Sequence, residues 1–152
     1  MTGSNSRFLS TVIITEFRGR GDEIRVSPFR FADICTLYDE HPQVLLSKYF
    51  RFGGMPQVWQ TEKTEEREQY LKNLFENVYL SDIINRYHLR GVEEIGILTD
   101  VLASSVGSLT NTLKIKNTFQ SERHSTISLN TINSYIGYLK DAFLLSEARR
   151  YD

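Results

Sequence analysis

The sequence predicts an α+β fold that is mostly α-helical. Three observations carry this expectation. Apolar residues recur at helical spacing through most of the chain. One short stretch, residues 23–27, alternates polar and apolar as a half-buried strand does. The last third runs helix, turn, helix and then a strand-like segment, the outline of a winged helix.

The elements follow in order. Residues 2–6 are turn-forming, and Ser4, Asn5 or Ser6 can cap a helical stretch that continues to about Phe17. Gly19-Arg20-Gly21-Asp22 stops that helix, residues 23–27 form the strand, and Pro28 ends it. Residues 29–39 read as a short helix with Phe31, Ile34 and Leu37 or Tyr38 on one side. Between Pro42 and Gln60 large apolar side chains are interrupted by Gly53-Gly54, and Pro56 suits the first turn of a new helix because its missing N–H costs nothing there. Thr64, followed by Glu65 and Glu66, opens the longest helix. Its stripe is Leu71, Leu74, Phe75 and Val78, extended by Ile83, Ile84 and Tyr87.

A further helix spans about 92–106 with Ile95, Leu98 and Leu102 inward. Another covers about 111–121. Ser128 then caps a strongly periodic helix bearing Ile132, Tyr135, Ile136, Leu139 and Phe143, and residues 144–151 read as the first strand of a wing.

Composition narrows the function. The chain has 152 residues, 40% of them apolar, and a formal net charge of -1, so any nucleic-acid surface has to be local. Residues 107–152 carry six cations against four acids, a net of about +2. The single cysteine, Cys35, excludes an intrachain disulfide and points to a reducing, cytoplasmic compartment. No apolar run approaches the roughly 20 residues of a membrane span, so no membrane partner is expected. His41, His88 and His124 are scattered without metal-ligand spacing, and no metal or catalytic set is expected. The Tyr49, Phe50, Phe52, Trp59 cluster reads as packing against the long helix, and Asp82 with Arg86 as an exposed pair one helical turn apart.

The helix from Ser128 holds the best candidate contacts. Away from its apolar stripe it carries Asn130, Thr131, Asn133, Ser134 and Lys140; Asn can read adenine edges in a major groove, while Thr, Ser and Lys suit phosphate. Lys114, Lys116, Arg123, His124, Arg149 and Arg150 add possible phosphate contacts. DNA is therefore one expected partner. A second is another copy of the chain, paired through the exposed edge of the lone strand at 23–27.

Several strings resemble bacterial AAA-type P-loop ATPases that carry a C-terminal domain of unknown function. They are Thr2-Gly3-Ser4-Asn5-Ser6-Arg7, the Gly19-Arg20 turn with Ser27-Pro28-Phe29, Tyr49-Phe50-Arg51-Phe52-Gly53-Gly54-Met55-Pro56, Tyr79-Leu80-Ser81-Asp82-Ile83-Ile84-Asn85-Arg86-Tyr87, residues 103–109 and residues 135–145. The resemblance implies a remnant of the ATPase core at 1–40, a helical lid at 41–106 and an incomplete winged helix at 107–152. It also implies that Thr2, Ser4, Asn5, Arg7 and Arg20 sense nucleotide in an intact parent using ATP and Mg2+. Yet no G-x-x-x-x-G-K-[ST] loop and no Mg2+-positioning Asp pair occur. By that resemblance the chain reads as cut at both ends and non-catalytic by itself, needing no cofactor. Its expected roles are lid and spacer, DNA-binding winged helix, or docking module for the ATPase core.

Overall fold

The computed structural model describes residues 26–123 and 127–148. They fall into two units, the first ending at Val78 and the second beginning at Tyr79.

The first unit contains α1 (Phe31–Leu37), α2 (Pro42–Phe52), α3 (Pro56–Gln60) and α4 (Thr64–Asn73). Arg30 starts α1 by donating its backbone N–H to Asp33 Oδ2 at 2.8 Å. The hydrogen bond from the Arg30 guanidinium, with its charge, holds the Asp33 carboxyl below the usual carboxylate range. Pro42 occupies the first turn of α2, where His41 Nδ1 accepts the Gln43 N–H at 3.3 Å. Gly53 ends α2 at φ 70, a conformation glycine adopts without cost.

Ile34, Leu45, Phe52, Val58 and Trp59 form this unit's core, with Tyr70 and Leu71 of α4 packed against it. Its polar edges are satisfied: Trp59 Nε1 donates to the Gly53 carbonyl at 2.9 Å and Tyr38 donates its hydroxyl to the Trp59 carbonyl at 2.8 Å. Of the aromatic cluster expected to pack here, Phe52 and Trp59 are buried and Phe50 is exposed.

Residues Leu74–Leu80 form a π-helical stretch, followed by α5 (Ser81–Tyr87). The wider π winding breaks the 3.6-residue register of the expected stripe, so no residue of this stretch is buried and Val78 faces solvent. The Asp82–Arg86 pair forms, at 2.6 Å.

The second unit joins α5 to α6 (Val92–Ser104), α7 (Thr112–Arg123) and α8 (Leu129–Asp141). Its core draws Ile83 from α5, Ile95, Leu98 and Val101 from α6, Ile115 and Phe119 from α7, and Ile132, Tyr135 and Leu139 from α8. Ser128 Oγ accepts the Thr131 N–H at 3.1 Å and so satisfies one of the open donors at the start of α8. Asn111 does the same for α7, accepting the Lys114 N–H at 2.8 Å.

The α+β expectation is corrected by this architecture. The described residues are all helix, turn and coil, with no strand and no sheet, and nothing in them is a remnant of an ATPase core sheet. Of the expected strand at 23–27, residues 23–25 lie outside the described residues; Val26 and Ser27 are coil, with Val26 92% exposed. The expected wing strand fails for a local reason. Phe143 takes a left-handed φ of 59, the Leu144 N–H reaches the Leu139 carbonyl at 2.9 Å, and the Phe143 N–H reaches the Lys140 carbonyl at 3.0 Å. That is a Schellman ending to α8, and Leu144 and Leu145 pack back on the core as its apolar seal instead of entering a strand. Phe143, expected to face inward, is 57% exposed. Residues 146–148 continue as coil, and the rest of the expected wing lies outside the described residues.

Candidate nucleic-acid interface

α7 and α8 pack on each other and on α6, and these helices share one core with Ile83 of α5. That core holds α8 by Ile132, Tyr135 and Leu139 and leaves its other side to solvent.

The expected contacts separate into two rows on that open side. Asn130 and Ser134, four residues apart, stand on the outermost row and are exposed. Asn133 and Lys140, seven apart with Ile136 between them, line the flank that borders a cleft. Asn133 Oδ1 accepts the Thr112 hydroxyl at 2.8 Å, and Lys140 Nζ donates to Glu147 Oε2 at 2.8 Å. Thr131 is tied to the cap, its hydroxyl 2.8 Å from Ser128 Oγ.

The flanking cations are sparse. Lys114 is exposed and donates to the Leu109 carbonyl at 3.2 Å, and Lys116 is half-buried. Arg123 closes α7. His124, Arg149 and Arg150 lie outside the described residues, as do Thr2, Ser4, Asn5, Arg7 and Arg20.

The cleft itself was not anticipated from sequence. It holds about 890 Å³ between the end of α6, the 105–111 loop, the start of α7, the flank of α8 and residues 145–148. Leu102, Ile115, Ile136 and Leu145 make its apolar lining. Val106 and Leu109 stand on its lip, 81% and 71% exposed.

A tyrosine cluster lies beside α8. The Tyr87 and Tyr138 rings stack with centroids 3.7 Å apart, and Tyr87 donates its hydroxyl to Asp141 at 3.2 Å. Burial pushes the Tyr135 phenol above the ordinary tyrosine value, with the Glu94 charge adding to it. Among the described residues no group of three His, Cys, Asp or Glu is arranged to hold a metal ion. No helix among them is long and apolar enough to cross a membrane.

The sequence model of DUF8612, a domain of unknown function, matches residues 43–152. The chain belongs to the DUF8612 family. This DUF8612 chain is 36% identical to an uncharacterized protein of Haemophilus influenzae over 160 aligned positions, covering 100% of the chain and 39% of that protein. It is 26% identical to an uncharacterized protein of Methanocaldococcus jannaschii, covering 95% of the chain and 35% of that relative. The chain thus spans well under half the length of these relatives. No solved structure matches it.

The expected membership of the AAA-type P-loop ATPases is corrected by this match. The family that covers the chain is DUF8612, and neither relative is described as an ATPase. Two of the strings that suggested that kinship have plain local roles in the fold. Gly53-Gly54 supplies the left-handed turn after α2 and a close backbone approach, and Tyr135 and Leu139 are core residues of α8. The reading of ATP and Mg2+ in a longer parent rested on that resemblance alone.

Proposed function

We propose that the second unit of this DUF8612 chain is a non-catalytic DNA-binding module, with α7 and α8 as a helix-turn-helix and α8 as the recognition helix. One observation carries the reading. α8 is fixed by its core face and by the Ser128 cap, while Asn130 and Ser134 project from its outermost row at the helix start. Recognition helices present base-reading side chains from their N-terminal half in this way.

Asn130 is the base reader. An asparagine reads adenine with its amide oxygen and nitrogen together, and Asn130 has both open among the described residues. Asn133 has its oxygen engaged by Thr112. Phosphate contacts fall to Lys114, Lys116 and Lys140. The half-exposed Lys140–Glu147 pair is of the kind worth well under about 1 kcal/mol, so phosphate can displace Glu147 cheaply. The reading carries a cytoplasmic location with it, supported by the single cysteine of the sequence.

Amide shift mapping on the 152-residue chain with a short duplex tests the proposal. Perturbations centred on Asn130 and Ser134 are expected. Shifts confined to the first unit, or none at all, would overturn it.

A further inference from the structure

We propose that the sugar-phosphate backbone of bound DNA crosses α8 at Gly137, and that this residue is a glycine so that the strand can lie close against the helix. The inference rests on the DNA-binding reading and adds to it the contact that sets how deeply α8 enters the groove.

Glycine inside a helix is unfavourable, because it loses the most backbone freedom on folding and buries no side chain. Two local causes commonly keep it there: a left-handed φ, or a neighbour that leaves no room for a Cβ. Neither applies to Gly137. It lies well inside α8 and is not one of the glycines of positive φ. A Cβ there would meet no atom within 4 Å among the described residues. The open space lies outside the fold.

Its place on the helix supplies the cause. Asn130, Ser134 and Gly137 follow one another at i, i+4 and i+7, on the side of α8 opposite Ile132, Tyr135 and Leu139. Gly137 is about 10 Å further along the axis than Asn130, close to the roughly 12 Å width of a major groove. A helix that reads a base with Asn130 therefore reaches the groove wall at Gly137. Three residues to either side stand Ser134 and Lys140, a hydroxyl and an ammonium, and both suit phosphate oxygens. This row carries no apolar side chain, so a partner protein would have no apolar centre to pack on. The row ends at Asp141, whose carboxylate accepts the Tyr87 hydroxyl at 3.2 Å and repels phosphate, so the crossing falls before it.

Gly96, inside α6, has the same open space but the wrong surroundings. Its neighbours one turn away include Glu93 and Asp100, both exposed, and no cation. It serves as the control.

Duplex affinity by anisotropy at low salt, with urea unfolding of the same variants, tests the inference. Both Gly137→Ala and Gly96→Ala should raise the unfolding midpoint, since alanine favours helix. Gly137→Ala should nonetheless weaken duplex binding at least fivefold, and Gly96→Ala should leave it unchanged. A merely structural glycine would not lose affinity as stability rises. Wild-type binding matched by Gly137→Ala, or an equal loss with Gly96→Ala, overturns this inference alone. A wild-type chain that binds no duplex overturns the DNA-binding reading and the inference with it.

Discussion

Thr112 donates its hydroxyl to the Asn133 amide oxygen at 2.8 Å, bridging 21 residues between the start of α7 and the flank of α8. The bond uses the acceptor that an asparagine needs for adenine, and it turns Asn133 toward the protein. Asn130, three residues earlier, keeps its whole amide open among the described residues. Two residues that look equivalent in sequence therefore differ in the hydrogen-bonding groups they leave open. Asn130→Ala is expected to cost about 1–3 kcal/mol of discrimination between preferred and altered duplexes, and Asn133→Ala much less. Competition anisotropy with paired duplexes measures both, and equal losses would contradict the assignment.

The two ends of α8 make opposite predictions for stability. Ser128→Ala removes the cap on the Thr131 N–H and should destabilise by about 1 kcal/mol. Phe143→Gly should stabilise by about 0.5 kcal/mol, because a side chain at φ 59 is strained where glycine is not, and the exposed ring has little burial to lose. Urea unfolding reads both. A loss above about 1 kcal/mol for Phe143→Gly would mean that the ring packs in solution.

Gly54 is irreplaceable for a steric reason. A Cβ there would lie 2.0 Å from the Phe29 carbonyl oxygen, and the Phe29 N–H donates to the Gly54 carbonyl at 2.8 Å. Backbone on backbone has no rotamer to escape into. Gly54→Ala should remove protection of the amides around α1 and α2 in hydrogen exchange, with those of α6 to α8 nearly unchanged.

Alkaline pH should weaken the second unit through Tyr135. Burial and the Glu94 charge raise its folded pKa above the unfolded value of about 10. The unfolded chain then loses its proton first, so stability is full below that value and falls as the pH rises from it through the folded value. Tyr135→Phe should flatten that part of the curve. A wild-type profile that rises over the same range would contradict the raised value.

Much of the helical pattern was legible. The Pro56 start, the Gly53-Gly54 interruption, the Ser128 cap and the Ile132, Tyr135, Leu139 stripe all follow from short-range rules that the packing does not override. What misled was apolar sequence outside helices. Leu144 and Leu145 have strand-like character, yet they seal a helix end whose left-handed residue is a phenylalanine, with no glycine to announce it. The boundary between the units falls within 74–80, where neither glycine nor proline marks it. The candidate contacts on α8 were legible as exposed polar positions, but not their division into two rows. That depends on Thr112 and Glu147, whose partners in space no periodicity reveals. The cleft was illegible for the same reason, since its lining brings together three stretches of chain, 102–115, 133–140 and 145–148.

The most direct test is the affinity of the 152-residue chain for a fluorescent duplex, measured between 50 and 200 mM salt. The account predicts binding at low salt that weakens with a log–log slope of about −3, close to −0.9 for each of the three phosphate contacts by Lys114, Lys116 and Lys140. Lys140→Ala should reduce the slope by about 1. No binding at the lowest salt, or binding with no salt dependence, would contradict the account.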